Sequence, residues 1–108
     1  MRSTRAKRVK PRQRMTAGFL GPKVHCTGEL VDLSETGVLI ECPELLVRPQ
    51  TMGHFGINTG HEILRSVAVV RRRVPGVGIA FQFTQMGQHD RKLLHGLLSP
   101  ALEKSRPA

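Results

Sequence analysis

The sequence predicts an all-β domain with one C-terminal helix, a small six-stranded antiparallel barrel or sandwich, from three observations. Six short apolar or alternating runs recur at regular spacing, separated by segments rich in Gly, Pro, Asn, Ser and Thr. Only the C-terminal part changes to a helical period. The 108 residues, 39% of them apolar, suffice for one modest core and not for two.

Taken in order, Met15 to Leu20 is an apolar run that stops at Gly21-Pro22, and it reads as a first strand. From Val24 to Leu33 the chain alternates, with Val24, Cys26, Gly28 and Leu30 on one side and His25, Thr27, Glu29 and Val31 on the other. Ser34-Glu35-Thr36-Gly37 interrupts this pattern and Val38-Leu39-Ile40 resumes it, as in a hairpin with Gly37 available for a positive φ. Pro43 and Pro49 bracket a connection, His54 to Ile57 is a short strand, and Asn58-Thr59-Gly60 is the next turn. Ile63 to Arg73 is a long strand rich in β-branched residues. After the turn Val74-Pro75-Gly76, the residues Val77, Ile79, Phe81 and Phe83 alternate with Gly78, Ala80 and Gln82, which puts Phe81 and Phe83 on the core face. Leu93, Leu94, Leu97 and Leu98 then recur at helical spacing. A helix from about Gln88 to Leu98 follows, with Asp90 near its positive end and Ser99-Pro100 as its stop.

The net charge of +9 is concentrated at one end. Residues 1–14 hold seven Lys and Arg and no acid, which leaves ten bases against eight acids elsewhere. The organisation expected is a flexible basic arm over 1–14, a domain over 15–99 and a tail over 100–108. Two cysteines are too few for a disulfide scaffold, and no apolar run suggests a secretory signal or a bilayer span, so a cytoplasmic protein is expected.

Catalytic and metal chemistry find little footing. His25 and Cys26 are adjacent in a strand and point to opposite faces, while His89 and His95 are about 240° apart around a helix. No metal site is expected. Ser34 lies in no Gly-x-Ser-x-Gly elbow, and Gly76-Val77-Gly78 leads into a strand rather than a phosphate-binding helix, so no enzyme is expected.

Two features carry chemistry. In the arm, Arg8 and Arg12 stand four residues apart, and a guanidinium matches phosphate oxygens and the Hoogsteen edge of guanine with paired hydrogen bonds. A solvated basic tail offers the same composition. In the loop, the Asp32 carboxylate can accept from guanine N1 and its exocyclic amine, Ser34 can donate or accept, and Gly37 permits a tight backbone. An ordinary Ser turn closing a hairpin offers those residues too.

In combination, Arg8-Val9-Lys10-Pro11-Arg12 followed about twenty residues later by Asp32-Leu33-Ser34-Glu35-Thr36-Gly37 resembles the PilZ domain family. Val67-Ala68-Val69-Val70-Arg71 and Val77-Gly78-Ile79-Ala80-Phe81 look like that family's closing strands, so the resemblance spans about residues 7–98. It implies a six-stranded antiparallel β-barrel with a C-terminal helix, in a bacterial signalling domain that binds the second messenger cyclic di-GMP. By carry-over, Arg8 and Arg12 grip guanine edges and phosphates, Asp32 and Ser34 read the guanine, and Gly37 keeps the loop compact. Lys7, of second rank, stands where the family often has an apolar residue packed on the ligand, which leaves one bound molecule or an intercalated pair open. Lys10 and Arg14 form a rival register, although Lys lacks the fork. The mechanism expected is ordering of the arm on the barrel, which alters the contact with a downstream protein partner. No cofactor is expected beyond that ligand. The alternatives are a nucleic-acid-binding small β-barrel and a PilZ-like adaptor that does not bind the nucleotide.

Overall fold

The computed structural model describes residues 8–11, 14–43 and 48–99. Six antiparallel strands, β1 (Thr16–Leu20), β2 (His25–Leu33), β3 (Gly37–Glu41), β4 (Met52–Asn58), β5 (Ile63–Val74) and β6 (Gly78–Gln85), precede the helix α1 (Gln88–Leu98). They close into a barrel in the order β1-β2-β3-β6-β5-β4. Closure is made by β1 against β4, in register from Thr16 opposite Asn58 to Leu20 opposite His54. The barrel, rather than the sandwich, is therefore the outcome, and each of the six strands pairs with a neighbour on both sides.

The turns follow from their residues. Pro75 and Gly76 occupy the centre of the β5–β6 turn, where Gly76 takes φ +77° and Val77 N–H donates to Val74 C=O at 2.9 Å. Val77 is 38% exposed there, outside the strand, so the alternation begins one residue later than its pattern suggests. In the β4–β5 turn, Gly60 N–H donates to the Asn58 side chain at 2.9 Å.

Inside, three of the four phenylalanines form a contiguous cluster. Phe81 lies 4.8 Å from Phe19 and 4.9 Å from Phe55 between ring centroids, and all three are no more than 2% exposed. Phe83 is half-buried and packs against this cluster from its margin, on the side expected of it. The helix buries Leu94 completely, with Leu93, Leu97 and Leu98 partly covered, which is the face its spacing indicates. Asp90 sits in the first turn, and its Oδ1 also accepts from Arg65 N–H at 2.9 Å, tying the helix to β5. Among the described residues, no helix is long and apolar enough to cross a membrane.

Strand β2 contains the irregularity that matters most. Leu30 pairs with Ile40 and Asp32 with Leu39, so Val31 is an extra residue with no partner, a β-bulge. Continued without interruption, the alternation that buries Cys26 and Leu30 would turn Asp32 inward. The bulge resets it, so that Leu33 is buried at 2% exposure and Asp32 stands on the outer face. Cys26 and Cys42 lie side by side as free thiols, and burial pushes the Cys26 thiol up to about 11, with its neighbour Cys42 adding to the effect.

Candidate functional site

The loop between β2 and β3 is built around one hydroxyl. Ser34 is 1% exposed, and its Oγ accepts from Thr36 N–H at 3.2 Å and Gly37 N–H at 3.1 Å. Ser34 N–H in turn donates to Gly37 C=O at 2.9 Å. The hydroxyl is thus engaged by its own loop, as in a Ser turn, and the loop's compactness depends on it. Gly37 takes no positive φ, contrary to expectation. Its requirement is instead space, because a Cβ there would collide with the carbonyl oxygen of Phe81 on β6. Thr36 C=O accepts from Phe83 N–H at 2.8 Å, and Glu35 lies 3.3 Å from His95 of α1, so the loop is fixed at both sides.

The start of the described chain crosses this loop. Val9 forms an isolated antiparallel bridge with Leu33, its N–H donating at 2.7 Å and its C=O accepting at 2.9 Å. That pairing sets Arg8 beside Asp32, where the guanidinium donates to Oδ1 at 2.5 Å. The Arg8 side chain is 50% exposed and that of Asp32 18%, so the pair contributes no more than about 1 kcal/mol and is readily exchanged. Of the predicted residues, Arg8, Asp32, Ser34 and Gly37 come together. Arg12 and Lys7 lie outside the described residues. In the rival register, Arg14 faces Glu29 at 3.6 Å, nearly free in solvent.

Strand register adds residues that the motifs do not contain. Asp32 pairs with Leu39, Leu39 with Ala80, and Ala80 with Arg72, one row across the outer face of four strands. Strands are about 4.8 Å apart, so Arg8 at one end and Arg72 at the other flank the partly buried Leu39 and the buried Ala80. The row offers an acceptor at Asp32 and a guanidinium at each margin, groups able to meet hydrogen-bond donors and phosphate. The run Arg71-Arg72-Arg73 is conspicuous in the sequence, but only the pairing through β3 and β6 relates it to Asp32.

No curated protein matches the chain. The family model of the PilZ domain matches residues 3–99.

Proposed function

The chain belongs to the PilZ domain family, and on that premise we propose that it is a receptor for cyclic di-GMP rather than an enzyme. The observation that carries this reading is the contact between Arg8 and Asp32 over the Ser34 loop, which joins two motifs 24 residues apart. Guanine would take the Asp32 carboxylate through N1 and its exocyclic amine, releasing Arg8 to phosphate or to the Hoogsteen edge. Arg12 would supply the second fork. Ser34 would act by holding the loop in shape, since its hydroxyl already serves Thr36 and Gly37.

The transmission step is ordering of the basic arm. Val9 is seated on Leu33, so what the ligand adds is neutralisation of the bases flanking that bridge, which favours the folded-back arm over its self-repelling forms. The altered surface would be read by a downstream protein in the bacterial cytoplasm. The nucleic-acid reading is weakened because three phenylalanines are buried and the fourth packs on the core, so none of them offers a free ring to a base.

Calorimetric titration with cyclic di-GMP, GMP and single-stranded RNA at two salt concentrations tests the reading. Charged hydrogen bonds contribute about 1.5–3 kcal/mol each, so Arg8→Ala or Arg12→Ala weakens cyclic di-GMP binding by roughly one to two orders of magnitude. Undiminished binding by both variants sinks the assignment. Steeply salt-dependent RNA binding that ignores Asp32→Ala favours the nucleic-acid alternative. Absence of binding to any of the three leaves the adaptor.

A further inference from the structure

Opposite the Asp32 row, across the barrel, the outer face of β1 and β4 carries an open trough of about 600 Å³. Gly18 and Gly56, paired directly with each other, form its floor. Leu20 and Ile63 stand at its margin 58% and 45% exposed, together with His25, His54, Arg65 and Gln85.

The fold does not require glycine at either floor position. Neither residue has a positive φ. A Cβ at Gly18 would come no closer than 3.4 Å to Thr27 Cγ2, and one at Gly56 no closer than 3.5 Å to Ile63 Cγ2, both ordinary contacts. Glycine inside a strand weakens it, and where packing gives no reason for it, close approach by another molecule does.

We propose that this trough docks an acidic amphipathic helix of a partner protein, with a large apolar side chain seated over Gly18 and Gly56 and carboxylates meeting Arg65 and His54. At the trough β1 is paired with β2 and β4, and β4 with β1 and β5, so a partner there cannot add a strand and must dock against the face. The exposed Leu20 and Ile63 supply apolar contact. The lining contains a cation and no carboxylate; of the nearby acids, Glu62 is paired with His89 and Asp90 accepts from the backbone N–H of Arg65 rather than from its guanidinium. A second copy fits less well, since α1 itself carries Arg91 and Lys92 against the single acid Asp90. The trough shares no residue with the Asp32 loop, so this inference stands apart from nucleotide binding.

The test uses the isotopically labelled full chain and two synthetic amphipathic helical peptides that present the same Leu and Phe face, one flanked by Glu and one by Lys. The expected result is saturable amide shifts centred on Gly18, Leu20 and Gly56 with the Glu peptide, and binding weaker by about tenfold with the Lys peptide. Arg65→Gln and Gly56→Val lower affinity for the Glu peptide by a similar factor. Gly56→Ala, whose Cβ the fold accommodates, does not lower the melting temperature and still binds more weakly than the parent. Equal affinity for the two peptides, shifts centred elsewhere, or undiminished binding by Gly56→Ala and Arg65→Gln would overturn the proposal. Sedimentation showing a dimer that Leu20→Glu abolishes would overturn it too, by giving the face to a second copy.

Discussion

Two pairs of glycines on opposite sides of this barrel stand in opposite circumstances. On the β3–β6 side, Gly37 and Gly78 stand where a Cβ would run into the carbonyl oxygens of Phe81 and Ile40, so the strands meet only because no side chain intervenes. On the β1–β4 side, Gly18 and Gly56 have room for a methyl group. The contrast teaches that the first pair is dictated from within, by strand approach, whereas nothing within the barrel dictates the second.

Substitution separates these cases. Gly37→Ala forces β3 away from β6 and is expected to destabilise by about 1–3 kcal/mol, the range of an overpacked core, lowering the thermal midpoint by several degrees. Ser34→Ala ranks next. It strips the acceptor from the N–H groups of Thr36 and Gly37, with an expected cost of about 1–3 kcal/mol in chemical denaturation, nearer the lower end for the partly exposed Thr36. Gly18→Ala and Gly56→Ala reverse the sign, gaining up to about 0.5–1 kcal/mol from lost unfolded-state freedom. A loss as large as that of Gly37→Ala at these two positions would erase the distinction between the faces. Asp32→Ala gives the smallest stability change, below about 1 kcal/mol, while its effect on nucleotide binding is expected to be among the largest.

The thiol pair offers a pH test of the interior beside these faces. The Cys26 thiol is raised from its ordinary value near 9 to about 11, so between those values the folded chain holds a proton that the unfolded chain has lost. Stability contributed by the neutral thiol is whole below pH 9 and falls as pH rises through this window. Denaturation midpoints measured on either side of it should show that decline, and Cys26→Val should reduce it.

Much of the architecture is legible from local chemistry, because each turn carries its own instructions. Pro75-Gly76 and Asn58-Thr59-Gly60 fix their reversals without reference to distant residues, and the leucine spacing of α1 indicates its buried face. The site is less legible, for a physical reason. Ser34 and Gly37 are recognisable as a motif, yet what Gly37 meets is Phe81, 44 positions along the chain and across a strand pair. Arg72 likewise joins Asp32 only through two intervening strands, by a register that no single segment encodes. The trough is invisible for the same reason, since Gly18 and Gly56 look like ordinary strand glycines until β1 closes on β4.

Val31 has a consequence best put as a reading frame. Upstream of it, even-numbered residues such as Cys26 and Leu30 face the core; downstream, Leu33 does. One unpaired residue therefore shifts the phase of everything that follows it in β2, much as an inserted letter shifts a coded message. Taken into the ladder as an ordinary paired residue, Val31 would present Leu33 to solvent and turn Asp32 towards the phenylalanines, although every motif residue would still be in the chain, whereas its deletion would leave Leu30, Asp32 and Leu33 facing as they do. Detection of the motif and competence of the site are thus separable properties, joined by a residue that belongs to neither.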